Sequence, residues 1–263
     1  MNNERTLLMV LLTGIVIGLV LSAGIFAVLK PFGANNTTGS LSTTPNNNSV
    51  PLNPLSPSTY SAQINIVAVS QQTNQGITNT ATVEIQPGKG RVLVALNPFV
   101  EPDTQQSAET AKEVAQEYTQ TDLSGFDLIY SIQSDSKLVG GPSAGAALTV
   151  ATIAAIQQKN IRTDAAITGT INPDGTIGQI GGVIEKAQAV AAAGKKLFLI
   201  PKGQGKVIIY QPRIVTEQHG RFQIQRTTYE TKELDLIAYA KGDLNLEVRE
   251  ISSIDEAVKA LLQ

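Results

Sequence analysis

Apolar residues follow three different patterns along this chain. Residues 7–29 are a continuous apolar run, residues 31–59 are rich in Asn, Thr, Ser and Pro, and the chain from residue 60 onward alternates short apolar segments with turns. Short β-branched runs bounded by turn residues predict strands, and apolar positions at helical spacing predict helices. The third pattern therefore predicts one α+β domain over 60–263.

Within this domain the strand and helix patterns alternate. Strand patterns occur at 64–70, 80–86, 91–97, 126–133, 165–171, 176–180, 196–201 and 244–251. Helical patterns occur at 107–120, 146–159, 183–194 and 253–262. The apolar segment AALTVATIAAI of the second helix is predicted to be central, and Ser253 with Glu256 fits a capping box at the start of the last.

Three segments between these elements carry turn or hairpin signals. PGKG, between the second and third strands, predicts an antiparallel meander, and NPDG at 172–175 predicts a tight hairpin. Residues 203–233 include the alternating run RFQIQ, which predicts an inserted hairpin. Its role as a sheet edge, a lid or an oligomer contact stays open.

The run at 7–29 contains 23 residues and no charge, after a short tail at 1–6. At about 1.5 Å per residue it is long enough to cross a bilayer core of about 30 Å. A transmembrane anchor is the favoured prediction. A cleaved signal peptide is the alternative, although its apolar region is usually only about 7 to 15 residues long.

Residues 30–59 have the composition of a linker that cannot form a core. Asn35, Asn36 and Asn47 are Asn-x-Ser/Thr acceptors, a feature typical of segments outside the cytoplasm. We therefore expect a single-pass membrane protein whose domain is held on the outer face by this stalk. A cytoplasmic spacer is the alternative.

Composition narrows the possible chemistry. The chain has 263 residues, a formal net charge of -2, no cysteine and a single histidine, His219. This charge gives no indication of a nucleic-acid partner. Without cysteine there is no disulfide, thiolate nucleophile or cysteine metal site, and one histidine cannot build a His-rich zinc centre. We expect neither a metal nor a cofactor.

The motif GGPSAG at 140–145 places one hydroxyl, Ser143, ahead of the apolar helix. A tight turn that opens a helix has the same composition, so the motif alone leaves a structural and a catalytic interpretation open. A serine nucleophile needs a histidine base or a lysine whose pKa is lowered by an apolar environment. Lys186 lies among Gly, Val, Ile and Ala residues. The alternative is that Lys186 faces solvent, paired with Glu185 or unpaired.

Three motifs follow one another: GPSAG at 141–145, TG at 168–169, and GG at 181–182 with Lys186 four residues further on. Together they resemble the proteolytic domain of the Lon protease family, and the 43 positions between Ser143 and Lys186 agree with that family's spacing. The resemblance covers about 64–263. It implies an α+β Lon-type fold with short mixed sheets and packed helices, here preceded by one transmembrane helix.

The resemblance also implies an endopeptidase with a Ser-Lys dyad. Ser143 would attack the scissile carbonyl, and neutral Lys186 would act as general base and then as general acid. Thr168 matches the threonine that orients the lysine, and Gly141 and Gly182 are supporting positions within the motifs. Gly141 would allow close backbone approach, with plain turn chemistry as the alternative. Polypeptide substrates and a hexameric ring are implied by the family alone.

The chain departs from the family in three respects. Leu138, Val139 and Gly140 stand where many members carry Pro-Lys-Asp, which predicts a less charged rim. No GxxxxGK[ST] phosphate loop occurs in the sequence. We therefore expect the protein to bind no ATP and to hydrolyse unfolded or membrane-adjacent proteins without ATP. The segment 203–233 is longer than the family's usual connection.

Two other functions stay open at this stage. G-x-S-x-G is also the nucleophile elbow of α/β-hydrolases, and Ser143, then Asp164 or Asp174, then His219 would follow the chain order of that triad. The second is a membrane-anchored binding or scaffold domain that has lost catalysis.

Overall fold

A computed structural model of the chain describes residues 53–70, 73–95, 99–134, 138–219 and 221–263. Its strands are β1 (Asn53–Pro54), β2 (Tyr60–Val69), β3 (Gly76–Pro87), β4 (Val92–Val94), β5 (Phe99–Val100), β6 (Thr121–Asp122), β7 (Phe126–Gln133), β8 (Leu138–Val139), β9 (Ala165–Ile167), β10 (Thr170–Ile171), β11 (Ile177–Gly178), β12 (Leu197–Pro201), β13 (Lys206–His219), β14 (Phe222–Asp235) and β15 (Glu247–Ile251). Its helices are α1 (Pro102–Thr119), a 3-10 turn (Pro142–Ala144), α2 (Gly145–Gln157), α3 (Val183–Ala192), α4 (Leu236–Asp243) and α5 (Ile254–Leu261). The predicted α+β class with short mixed sheets is confirmed.

The larger sheet has four strands in the order β2, β3, β7, β4. β2 pairs antiparallel with β3, from Tyr60 opposite Ile85 to Val69 opposite Gly76, and β3 pairs antiparallel with β7. Alternate residues of β3 are fully buried in the same apolar cluster as α1 and α2. One face of this sheet therefore packs on the helices that support the site described below.

The antiparallel meander predicted across the PGKG turn is wrong. β4 pairs parallel with β7, so β7 lies between β3 and β4. The Asp127 carboxylate holds the turn by accepting hydrogen bonds from the backbone N–H groups of Lys89 and Arg91, at 2.9 and 3.0 Å, and from the Arg91 guanidinium. The Arg91 side chain and these N–H groups lower the pKa of Asp127. Because Asp127 belongs to β7, the contacts direct the chain around that strand.

A second sheet has three parallel strands in the order β15, β12, β9. All five residues of β12 are buried, as expected of a central parallel strand covered on both faces. The single strand predicted at 165–171 is divided in two. β9 belongs to this sheet, whereas β10 forms the predicted hairpin with β11. The chain leaves the sheet at Gly169, whose N–H bonds to the Ser143 carbonyl at 2.9 Å.

The helices differ in how well their bounds were predicted. α2 is buried at every residue from 145 to 156, which confirms the prediction of a central apolar helix. α1 begins at Pro102, five residues before the predicted start, because proline is well suited to the first helical position. α4 was not predicted. It begins where the Asp235 carboxylate caps the N–H of Ala238 at 2.9 Å.

The predicted hairpin within 203–233 is present as β13 and β14, which form 14 antiparallel pairs with each other. At α5, Ser253 Oγ accepts from the N–H of Glu256 at 3.4 Å, as the capping box requires. The Glu256 carboxylate, however, bonds to the N–H of Ser252 at 2.8 Å and not to that of Ser253. Half of the predicted capping box is therefore formed.

The anchor predicted at 7–29 lies outside the described residues. In the part of the chain that the structure does describe, no helix has both the length and the apolar character to cross a membrane. Asn53 and Pro54 belong to the segment predicted as linker, yet they pair with β6 as the short strand β1. The ordered contacts of the folded unit therefore begin upstream of residue 60.

Candidate active site

Ser143 lies in the 3-10 turn that opens α2. The residue before this turn, Gly141, has φ of 92° and ψ of 143°, a backbone conformation that residues other than glycine rarely adopt. At the start of α2, a Cβ on Gly145 would lie 2.7 Å from Ile171 Cγ2, so only glycine allows this approach. Glycine is therefore required for different reasons at the two positions: for the backbone conformation at 141 and for lack of space at 145.

Lys186 lies in the first turns of α3, after Gly182. Gly182 is the N-cap of that helix with φ of 66°, and a Cβ there would lie 2.6 Å from Val69 Cγ2. The glycine thus allows α3 to start close to the end of β2. The predicted GG motif has a structural reason in this approach, because it brings the helix that carries Lys186 against the larger sheet.

The structure brings Ser143, Thr168 and Lys186 together. Lys186 Nζ donates to Ser143 Oγ at 3.0 Å and to Thr168 Oγ1 at 3.2 Å. The Thr168 hydroxyl, which is fully buried, donates in turn to the carbonyl of Ser143 at 3.2 Å. The three residues are thus linked by hydrogen bonds to one another. The Ser143 and Thr168 hydroxyl oxygens both accept from the lysine amine and keep it next to Ser143.

Burial determines the electrostatics of Lys186. The residue is 3% exposed, which rules out the alternative that it faces solvent beside Glu185. Removal of the charged amine from water lowers the pKa of Lys186 from its ordinary value of 10.5 to about 8. A large fraction of this amine is therefore neutral near pH 8 and can accept a proton.

A cleft of about 700 Å³ opens beside these groups. Its lining comprises Ala68, Val69, Asn74, Gly140, Gly141, Pro142, Ser143, Thr170, Gln179, Ile180, Gly181, Gly182, Glu185 and Lys186. Sequence reasoning missed the contribution of Ala68 and Val69, because nothing in a strand pattern shows which end of β2 will face the site. Glu185 is the acidic residue of this lining, next to Lys186 on α3.

The part of the cleft wall formed by Ile180 is supported by a residue that no motif indicated. Gln204 pairs with the backbone of Ile180 through both ends of its amide, accepting from the Ile180 N–H at 3.0 Å and donating to the Ile180 carbonyl at 2.7 Å. The Gln204 loop is itself held by Glu250, whose carboxylate accepts from the N–H groups of Gly203 and Gly205. This support precedes β13, so the hairpin begins next to the cleft wall.

The alternative triad is not assembled. The Asp164 carboxylate bonds to the Arg162 guanidinium at 3.0 and 2.8 Å, and the Asp174 carboxylate accepts from Thr176. His219 ends β13 opposite Phe222, at the end of the hairpin remote from its base. Across the described ranges, no cluster of three or more His, Asp or Glu side chains is arranged to hold a metal ion.

Comparison with known proteins shows that part of this chain is similar to one protease family. Residues 131–233 match the Lon protease (S16) C-terminal proteolytic domain. Lon protease 1 of Myxococcus xanthus is 30% identical over 131 residues, which cover 48% of this chain and 16% of that protein. The archaeal Lon protease of Pyrococcus abyssi is 30% identical over 99 residues, which cover 38% and 10%.

The Lon protease of Geobacter metallireducens is 28% identical over 138 residues, which cover 51% of this chain and 17% of that protein. The similar region is thus about a sixth or less of the length of each of these relatives. The segment that matches the family contains Ser143, Thr168 and Lys186, which the structure brings into hydrogen-bonding contact. The family match and the relatives together support a Lon-type (S16) C-terminal proteolytic domain in this chain.

Proposed function

We propose that the chain is a serine endopeptidase with Ser143 as nucleophile and Lys186 as general base. The observation that carries this proposal is the 3.0 Å hydrogen bond from Lys186 Nζ to Ser143 Oγ, made by a lysine that is 3% exposed. A hydroxyl becomes an effective nucleophile only when an adjacent base accepts its proton. The buried lysine, with its pKa lowered to about 8, meets both the distance and the protonation requirement.

The reaction follows from these contacts. Neutral Lys186 removes the proton of Ser143 Oγ as that oxygen bonds to the scissile carbonyl carbon, giving a tetrahedral intermediate with a negative oxygen. Lys186 then donates the proton to the leaving amine, and the C–N bond breaks to leave an acyl-enzyme. Water then attacks the ester carbonyl while Lys186 accepts a proton from it, and the protonated Lys186 returns this proton to Ser143 Oγ as the C–O bond breaks and the second product leaves. Thr168 keeps Nζ aligned with Oγ through both steps.

The negative oxygen needs donors, and the first turn of a helix offers N–H groups without intrahelical partners. Ser143 and Ala144 belong to the 3-10 turn that precedes α2, and Gly141 sets the entry into that turn. The helix dipole favours negative charge at the same end. Loss of one such donor typically raises a barrier by about 2.7 to 4 kcal/mol, so the geometry of this turn matters as much as the dyad.

We further propose that hydrolysis needs no ATP and acts on unfolded or membrane-adjacent polypeptides. The support is that the sequence contains no phosphate loop and that a cleft of about 700 Å³ lies beside Ser143 and Lys186. Assembly into a ring remains a proposal that rests on family resemblance alone.

Turnover of fluorescently labelled casein by the full chain tests both proposals, with Ser143→Ala as the matched control. We expect activity that Ser143→Ala removes and that ATP with Mg²⁺ leaves unchanged within about twofold. Equal turnover by wild type and Ser143→Ala would contradict the nucleophile assignment. If the folded wild type cleaves no unfolded protein or peptide, the chain is instead the binding or scaffold domain.

We also propose that residues 7–29 anchor the chain in a membrane and that the domain lies on the outer face. The apolar run supports the anchor, and the stalk, which carries no charge from residue 31 to 59 and contains glycosylation acceptors, supports the outer location. Protease added to intact cells should remove the domain, whereas a cytoplasmic control protein should survive. Protection of the domain until the cells are lysed would contradict the outer location, and release from membranes by carbonate would contradict the anchor.

A further inference from the structure

The first turn of α1 contacts the loop that leads to Ser143. Asp103 Oδ1 accepts a hydrogen bond from the N–H of Gly141 at 3.2 Å. Thr104 Oγ1 donates to the carbonyl of the same glycine, also at 3.2 Å. Both backbone polar groups of Gly141 are therefore bonded to consecutive side chains of another element. We refer to Asp103 and Thr104 as the α1 clamp.

The same helix start supplies charge that the loop sequence lacks. The sequence predicts a less charged rim because residues 138–140 carry no charge. A Cβ placed on Gly140, however, would lie 1.8 Å from Glu101 Oε2, so the Glu101 carboxylate fills the space beside that glycine. With Asp103 bonded to Gly141, two carboxylates adjoin the loop, one from the N-cap residue of α1 and one from its first turn. That prediction considered residues 138–140 alone, whereas these two carboxylates approach the loop from a distant part of the sequence.

The position of the α1 clamp makes it important for Ser143. Pro142 has no N–H, so the backbone groups of Gly141 are the last complete donor and acceptor pair before the nucleophile candidate. Gly141 has a φ of 92°, which glycine adopts without strain, but glycine also has more backbone conformations open to it than any other residue, so contacts from outside the loop are needed to select this one. The α1 clamp provides that hold on both sides of the residue.

Within the α1 clamp, Thr104 is the more sheltered member. It is 2% exposed, whereas Asp103 is exposed to solvent. The Thr104 hydroxyl also lies 3.4 Å from Asp103 Oδ1, but the Gly141 carbonyl is nearer. The neighbouring Ser107 hydroxyl donates mainly to the Asp103 carbonyl at 2.9 Å, because the Pro142 carbonyl is farther away at 3.5 Å. Thr104 is therefore the principal donor to the loop.

We propose that Thr104 and Asp103 are positioning residues that keep the turn at 141–144 in the geometry required by the transition state. This inference rests on the proposed peptidase function. Without the Thr104 hydroxyl the Gly141 peptide can rotate, which moves the N–H groups of Ser143 and Ala144 away from the developing oxyanion. Such donors act in the transition state and not in the bound substrate, so kcat falls while KM changes little. The pKa of Lys186 is set by burial elsewhere and stays the same.

The experiment compares three variants of the full chain with wild type, using a fluorogenic peptide. Thr104→Val removes the hydroxyl at nearly constant volume, and Thr104→Ser restores it. Thr110→Val is the matched control, because Thr110 is a buried threonine of the same helix whose hydroxyl donates to the Gln106 carbonyl and not to the loop. We expect kcat to fall about threefold to tenfold in Thr104→Val, the range that one hydrogen bond provides. KM and the pH midpoint should stay within error, and the other two variants should match wild type.

Equal kcat values for Thr104→Val and Thr110→Val, with wild type active, would overturn the positioning role and leave the peptidase proposal intact. If Thr104→Val does not fold, Asp103→Ala makes the same test, because its exposed side chain can be removed without a core cavity. If wild type itself is inactive, the peptidase proposal fails, and amide hydrogen exchange at 143–146 decides the structural part. Faster exchange in Thr104→Val than in Thr110→Val supports the α1 clamp, and equal exchange overturns it.

Discussion

Helix α2 and the β13–β14 hairpin both contain many apolar residues, but these residues are buried in the helix and largely exposed in the hairpin. In α2 every residue from 145 to 156 is buried, and the helix fixes the turn that carries Ser143. In the hairpin, Ile208, Tyr210, Ile214, Phe222 and Tyr229 are each more than 60% exposed. The hairpin holds its shape through 14 backbone pairs and not through a core. Apolar content alone therefore does not distinguish the region that supports the site from a region that only adjoins it.

Each of the two regions also lies near one candidate for the general base of the proposed reaction. Lys186 lies in the buried region and contacts Ser143, whereas His219, the other candidate base, lies at the end of the hairpin. Lys186→Met retains the length of the side chain and removes the amine. We expect this variant to lose about 100- to 10,000-fold in kcat, the range that a general base provides. His219→Ala should retain wild-type turnover of a fluorogenic peptide. Loss of activity in His219→Ala with retention in Lys186→Met would reverse the assignment.

The two regions should differ as clearly in stability. Leu148 of α2 is 1% exposed, and its truncation to alanine leaves a cavity. We expect Leu148→Ala to lower the free energy of unfolding by about 2 to 5 kcal/mol, measured by urea denaturation. Ile214→Ala in the hairpin should change it by no more than about 0.5 kcal/mol, because the isoleucine is already exposed. A larger loss from Ile214→Ala would mean that something covers this face in solution.

The buried amine makes both activity and stability depend on pH. Because the pKa of Lys186 is lowered to about 8 in the folded protein, kcat should rise with pH up to about 8 and fall about tenfold per pH unit below it. The unfolded chain, with an ordinary pKa of 10.5, binds more protons between these values, so the free energy of unfolding rises with pH across that window. Above pH 10.5 the amine is neutral in both states and costs the folded protein nothing. As pH falls from 10.5 through 8, protonation favours the unfolded chain, and this stability is lost.

Lys186→Met isolates this effect, because other groups also titrate in the alkaline range. Relative to wild type, the variant should be more stable at pH 7 by up to about 3 kcal/mol, and the advantage should shrink as pH rises toward 10.5. Urea denaturation of both proteins at several pH values measures the difference. A constant difference across that range would show that the amine is not desolvated in the folded state.

How far the sequence predicts this molecule depends on whether the determining contact is local. The turn around Ser143, the central helix and the hairpin follow from nearby residues. The contact between Ser143 and Lys186 was predicted because their motifs follow one another in the order typical of the family that they resemble. The pairing of β4 with β7 depends on Asp127, which lies in a later strand and accepts hydrogen bonds from the backbone of the PGKG turn. A reading of that turn by itself gives a hairpin.

The same limit applies to the candidate site. Val69 reaches the cleft because Gly182 lets α3 approach β2, and Gln204 supports Ile180 across 24 positions of sequence. The α1 clamp holds Gly141 from a helix whose start was predicted five residues too late. Each of these is a long-range contact between residues of ordinary type, so no local pattern distinguishes them from surface polar groups.

The smallest effect is expected from shortening the hairpin. Val207 and Leu234 are opposite each other near its base, and the N–H of Leu236 bonds to the Gly205 carbonyl at 2.8 Å, so the two strands stay close where they leave the domain. Replacing residues 208–233 by Asn-Gly retains this base with a two-residue turn. We expect peptide turnover within about threefold of wild type and an unfolding free energy within about 1 kcal/mol, because most of the removed side chains that the structure describes are exposed and none of them is buried.

Gln204→Ala is the informative partner of this shortened variant. It leaves the hairpin intact but removes both hydrogen bonds to Ile180, so it should raise KM for the peptide about threefold to tenfold while kcat is retained. If the shortened variant raises KM as much as Gln204→Ala does, the hairpin supports the cleft wall through its base. If only Gln204→Ala raises KM, the wall depends on the loop held by Glu250, and the exposed apolar face of the hairpin serves something other than peptide-bond cleavage.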